Sequence, residues 1–261
     1  MERSVFEGLD GKQGAERSEK PRTAGLTMAV DWGMGLHRQR DLQYAGGPYV
    51  DFAKVAVGVS RLLSGSLLQE KIDSYLAADI EPFPGGQYLE YAEREGKLER
   101  YLEAVAEAGY RWVEVSDNLL PATAVWKERT IRRAREEFGL NVLGEVGRKE
   151  GLENSIPLPD NAKTCLEAGA RLILLEAAEL LAGGAATREA VEEIVAAAGL
   201  EKVMFELPGP WIEGVTDSDV HRLRRDLIDR YGTEVNIGNV APDDLMSLET
   251  YRRGLGVNAG S

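Results

Sequence analysis

Cysteine is almost absent from this chain: Cys165 is the only one in 261 residues. A lone thiol excludes an intrachain disulfide and a zinc cluster of the CxxC type, and a reducing, cytoplasmic setting is expected. Histidine is nearly as scarce, with His37 and His221 alone. No Ser-His-Asp arrangement can be read, and no Gly-x-Ser-x-Gly nucleophile elbow is present. No apolar run reaches the ~18–20 residues of a membrane helix, so no membrane partner is expected. The opening MERSVFEGLDGKQGAERSEKPR has no apolar h-region, so no secretory signal is expected. A basic surplus is also missing. Lys and Arg number 31 against 44 Asp and Glu, a formal charge of −13. That balance opposes nucleic-acid binding, which needs clustered cations for phosphates, but a locally basic cleft could still take a small anion.

What is present is a regular alternation. The apolar fraction of 43% is enough for a substantial core. Residues 1–22 are polar and aperiodic and read as a flexible N-terminal arm; 23–261 read as one domain. Short apolar runs follow at Leu26–Val30, Tyr49–Val55, Ile80–Phe83, Trp112–Val115, Val142–Val146, Leu172–Leu175, Val203–Phe205 and Val235–Ile237. Between them lie amphipathic segments at three-and-four spacing: Tyr88–Ala108, Pro121–Phe138, Asn161–Ala168, Arg188–Ala198, Asp217–Tyr231 and Asp243–Gly254. Strand–helix alternation implies a parallel sheet with right-handed crossovers. Eight repeats favour closure into a (β/α)8 TIM barrel over a doubly wound open sheet. No Gly-x-Gly-x-x-Gly follows the first strand, which weighs against a dinucleotide site.

Acids or amides recur where these strands end: Asp31, Asp117, Glu145, Glu176, Glu206, and Asn236 with Asn239. In a parallel barrel those ends share one rim, the rim that carries chemistry. Carboxylates gathered there repel unless a cation or raised pKa relieves them. A hard divalent ion such as Mg2+ would do so, with Asp117, Glu145, Glu176 and Glu206 as expected ligands. For any single acid, a helix cap or an Arg partner is an equal alternative. Lys54, late in the second strand, is the candidate buried cation and acid. Arg148 and Lys149 follow the fifth strand. Gly85 and Gly86 precede a helix and could let backbone N–H groups approach an anion. His37 is an outlying rim candidate; His221 and Cys165 read as surface and structural residues.

The blocks KPRTAGLTMAVDWG, DFAKVAVGVS, FPGGQYLEYA, WVEVSDN, GEVGRK, LILLEAAE, MFELP and VNIGNVAPDDLMSLETYRRGL together resemble phosphosulfolactate synthases, in the same order from about Lys20 to Leu255. The resemblance implies a TIM barrel and a Mg2+-dependent lyase that adds sulfite to the methylene carbon of phosphoenolpyruvate. It implies catalytic roles for Lys54, Glu145 and Lys149. It implies substrate contacts from Asp31, Trp32, Ser60, Gly85, Gly86, Ser116, Arg148 and Asn236. Glu114 and Asp117 also fit the pattern.

Departures from that pattern fall on the anion-binding groups. The family's Asp-Lys-Gly is here Asp31-Trp32-Gly33, its Gly-Thr-Ser is Gly58-Val59-Ser60, and its Glu-Gly-Arg-Glu is Glu176-Ala177-Ala178-Glu179. The stretch 207–211 reads Leu-Pro-Gly-Pro-Trp in place of a more basic one. A less anionic, larger or more apolar small-molecule substrate is therefore expected, in specialised metabolism. Two other readings stay open: a non-catalytic stress-associated or binding protein on a retained barrel, and an isomerase or aldolase with Lys54 forming a Schiff base. Self-association into a homo-oligomer also stays open.

Overall fold

The computed structural model of the chain describes residues 5–6, 9, 17–120, 122–147, 156–176 and 185–257. Eight parallel strands form one sheet in the order β3-β2-β1-β8-β7-β6-β5-β4. They are β1 (Thr27–Asp31), β2 (Phe52–Val55), β3 (Glu81–Pro84), β4 (Trp112–Val115), β5 (Asn141–Val146), β6 (Leu172–Leu175), β7 (Val203–Glu206) and β8 (Asn236–Val240). Each sequence-predicted strand is present, with ends shifted by a few residues. The helices are α1 (Leu36–Gly46), α2 (Val59–Leu62), α3 (Gly65–Ala77), α4 (Gly86–Arg94), α5 (Leu98–Glu107), α6 (Ala124–Glu136), α7 (Leu158–Ala168), α8 (Ala185–Ala198), α9 (Asp217–Tyr231) and α10 (Leu245–Arg252). The result is the expected (β/α)8 barrel. Among the described residues, no helix is long and apolar enough to cross a membrane.

Strand periodicity of two sorts the side chains. Met28, Phe52, Phe83, Leu143, Leu172, Leu174 and Met204 meet inside the barrel, with Trp112 against them. Their neighbours, such as Val113, Val142, Ile173 and Phe205, face the helices. Both faces are buried, which explains continuous apolar runs such as LILL in β6.

The sheet closes edge to edge at β3 and β4, which are adjacent but stand at opposite ends of the hydrogen-bonded order. Proline removes the donors that β3 would contribute to such a pairing. Glu81 N donates to Asp51 O at 2.9 Å, and Gly85 N donates to Val55 O at 3.1 Å, so alternate amides of β3 face β2. The positions between them, Pro82 and Pro84, would face β4, and neither carries an N–H.

Three sequence expectations are corrected. The single helix Tyr88–Ala108 is two, α4 and α5, broken where Gly96 takes φ +66°. Helices α1, α2 and α3 carry too little periodic contrast to have been read. The arm expected to be loose through residue 22 is fixed from Arg17 onward. Arg17 is buried and pairs with Glu249 and, at 3.5 Å, Asp51; Arg22 Nε lies 2.9 Å from Asp51. At α9 the cap is Thr216 in a reciprocal box with Asp219.

Asn236 also moves from its expected role. It opens β8 at the N-terminal face, opposite the rim of strand ends. Its Oδ1 accepts from Leu26 N at 2.8 Å, and its Nδ2 donates to the carbonyls of Val203 (3.0 Å), Glu201 (3.1 Å) and Leu200 (3.3 Å). It stitches β8 to the chain before β1 and to the start of β7, and touches no substrate-facing surface. Asn236→Leu is expected to destabilise the fold by about 3 kcal/mol, because it strands buried backbone groups. Urea unfolding measures this, and ligand affinity at the opposite rim should stay unchanged.

Candidate active site

Four of the inward-facing strand ends bring glutamates to the C-terminal opening. Glu114 comes from β4, Glu145 from β5 and Glu206 from β7, while Glu176 directly follows β6. All are buried, none more than 2% exposed. Each sits two residues beyond an inward apolar position (Trp112, Leu143, Leu174 and Met204), so the pleat directs them to one space. Lys54 enters from β2 in the same phase, two residues after Phe52. Its Nζ lies 2.6 Å from Glu206 Oε1 and 2.9 Å from Glu114 Oε2.

The electrostatics follow from this packing. Burial works against the Lys54 charge, but Glu114, Glu206 and Glu145 outweigh it and raise its pKa. Lys54 is thus held as an ammonium, whereas a Schiff-base nucleophile has to be a free amine. Burial pushes Glu114 well above the usual carboxylate range. Lys54 opposes that shift, while Glu145, Glu206 and a hydrogen bond shared with Glu145 reinforce it. Glu114 is therefore shifted toward its neutral form. Oxygens of Glu145, Glu176 and Glu206 lie within 4.8 Å of one another. Three buried carboxylates with oxygens this close together suit a hard divalent cation.

Above this floor is a cleft of about 190 Å³, lined by Lys54 and Glu114 together with Val30, Ala56, Val57, Asn239, the β3–α4 turn and two tryptophans. Trp32, from the turn after β1, and Trp211, from the turn after β7, have ring centroids 5.6 Å apart at a 48° tilt. Trp32 remains 56% exposed. Gly85 and Gly86 form the near wall. A Cβ on Gly86 would come within 2.8 Å of Glu114 Oε1, so glycine is what lets α4 press against β4. Both glycines line the cleft, and the Gly85 N–H is taken by Val55 O at 3.1 Å.

Several expected site residues point elsewhere. Asp31 faces outward, the opposite phase from Val30. It accepts from Tyr75 Oη (2.8 Å), Gly33 N (2.8 Å) and Met34 N (2.6 Å), and pairs with Lys71 at 2.7 Å. It shapes the turn that presents Trp32 but is itself sealed off. Asp117 likewise lies outside the barrel, 3.2 Å from Lys127 Nζ and accepting from Asn161 Nδ2 at 3.1 Å. It is not part of the glutamate group. Ser60 sits on α2, and its Oγ is 2.9 Å from Tyr110 Oη, away from the cleft. Ser116 is fully buried and donates to Glu90. His37 is exposed on α1, and Cys165 is buried in α7 as expected. Arg148 and Lys149 lie outside the described residues.

Two members of the site were not read as such. Glu114 matched a pattern but was given no task; its phase within WVEV, two residues from Trp112, was the available signal. Asn118 lies past the strand, and nothing in its sequence neighbourhood marks it. Its Nδ2 donates to Glu145 Oε1 at 2.8 Å.

The comparisons with known proteins agree with this picture. The family model described as (2R)-phospho-3-sulfolactate synthase matches residues 15–258. The phosphosulfolactate synthase of Methanothermobacter thermautotrophicus is 32% identical over 250 residues, covering 92% of each chain. That of Methanocaldococcus jannaschii is 30% identical over 242 residues, covering 88% of this chain and 92% of the relative. Among solved structures, the 3-hexulose-6-phosphate synthase from Salmonella typhimurium matches with a TM-score of 0.52 at 12% identity, over 87% of this chain and 98% of that one. At that identity the likeness speaks for the barrel alone. Match length and relatives together show that the chain belongs to the (2R)-phospho-3-sulfolactate synthase family.

Proposed function

We propose that this chain is a lyase-type synthase that adds a nucleophile to an activated enol acid, on a substrate less anionic than phosphoenolpyruvate. The observation that carries the reading is Lys54, an ammonium clasped by Glu114 and Glu206 beside the carboxylates of Glu145 and Glu176. In the family reaction, a bond forms from sulfite sulfur to the methylene carbon, the alkene pair shifts towards the carboxylate side, and a proton closes the adjacent carbon.

In this reading Glu145, Glu176 and Glu206 would hold Mg2+, and Asn118 orients Glu145. The bound metal would steady negative charge developing on the substrate carboxylate. Lys54, which lines the cleft, offers positive charge there and is the proposed proton donor. The Gly85–Gly86 turn admits the substrate closely along its backbone. Lys149 and Arg148 retain the roles that the family pattern gives them.

Substrate preference is assigned to the upper cleft. Where the family pattern has lysine, Trp32 stands beside Trp211, with Val30, Ala56 and Val57 nearby. An apolar wall favours an apolar substituent there over a second anionic group.

Two expectations follow. Lys54→Met and Glu145→Gln should each lower kcat/KM by roughly 10²–10⁴ with an unchanged circular dichroism spectrum, measured as sulfite consumption with a panel of enol acids. Metal-loaded wild-type protein that consumes no sulfite with phosphoenolpyruvate or any panel member would remove the reading. Trp32→Lys should raise phosphoenolpyruvate affinity about tenfold, the worth of one charged hydrogen bond of roughly 1.5 kcal/mol; calorimetry checks it.

A further inference from the structure

Glu90 lies outside the cleft, one turn into α4, and is fully buried. Its Oε1 accepts from Ser116 Oγ and from Asn118 N, the latter at 3.0 Å. Its Oε2 accepts from Leu119 N and, at 3.1 Å, from Leu120 N. A carboxylate offers about four lone-pair sites, so this one is filled. All of the donors belong to residues 116–120, the stretch that leaves β4 without regular structure. Its shape is therefore set by a side chain from another element.

Asn118 joins this arrangement to the site. Its backbone N–H binds Glu90, while its side-chain amide donates to Glu145 Oε1 at 2.8 Å. The close seating of Gly86 on Ser116 and Glu114 brings α4 near enough for Glu90 to gather the loop. We propose that Glu90 is a positioning residue: by collecting the 116–120 stretch it sets the Asn118 amide against Glu145 and so aims that carboxylate. The inference rests on the proposed role of Glu145, but the link from Glu90 through Asn118 to Glu145 can be tested apart from it.

Glu90→Gln keeps the shape but accepts through one oxygen only, and its NH2 then faces N–H donors. Asn118→Ala deletes the amide and leaves the Glu90 cluster in place. Mn2+ affinity is measured for wild type, both single variants and the double variant, alongside crystal structures of wild type and Glu90→Gln. Each single change should weaken Mn2+ binding about 10- to 100-fold, as loss of an outer-shell orienting partner does. The double variant should be no weaker than the poorer single one, because the two act in series. In the Glu90→Gln crystal, Asn118 should stand beyond hydrogen-bond reach of Glu145.

Wild-type affinity in Glu90→Gln, additive losses in the double variant, or an intact Asn118–Glu145 contact would each overturn the proposal. If wild-type protein binds no Mn2+, the metal reading fails, and the crystal comparison alone decides the positioning. If Glu90→Gln does not fold, Ser116→Ala removes only one donor and should move the same readouts less far; no movement would again count against the idea.

Discussion

One buried cation holds the catalytic end of this barrel together. Lys54 lies among the inward glutamates, and its contacts with Glu114 and Glu206 bind β2 to strands across the barrel interior. Burying an ammonium is unfavourable unless paired charges offset it. Burying several carboxylates is equally so. Each requirement answers part of the other, and burial shifts Glu114 toward its neutral form. Removing Lys54 would take from Glu114 and Glu206 the ammonium that pairs with both.

A second set of buried ion pairs lies just outside the barrel wall. Asp31 meets Lys71 and Tyr75 between β1 and α3, while Asp117 meets Lys127 and Asn161 between β4, α6 and α7. Lys127 Nζ also donates to the Glu145 carbonyl. These pairs fasten the helices to the strand ends and fix the turns that carry Trp32 and Asn118. The rim is thus two concentric layers: acids aimed inward at the cleft, and acids aimed outward at the helices they anchor.

That division marks how far the sequence could be read. Eight apolar runs with helical spacers were enough to imply the barrel, because strand length and repeat count survive small errors at the ends. The direction of a side chain does not survive them. A shift of one residue reverses the face of the sheet, so Asp31 and Glu145 look alike in sequence, yet one faces the helices and the other the cleft. Phase could have been set by the bulky inward residues Met28, Phe52, Trp112, Leu143 and Met204, which would have placed Glu114 inside and Asp117 outside. Nothing comparable marks Asn118 or Glu90, whose partners are brought together by a loop rather than by a period. Asn236 was misplaced for a different reason: it begins its strand, so it belongs to the opposite end of the barrel from residues that finish theirs.

The prolines of β3 reach beyond local geometry. Because Pro82 and Pro84 withhold N–H groups from the β4 side, the cylinder is a curled ribbon whose two borders touch without being laced. Parting them would break side-chain packing but no ladder of main-chain bonds. A border without amide donors on that side is also a poor template for a foreign strand. The molecule thus has an unlaced joint beside the very turn, Gly85–Gly86, that walls its cleft, and that joint is guarded against intrusion by the residues that leave it unlaced.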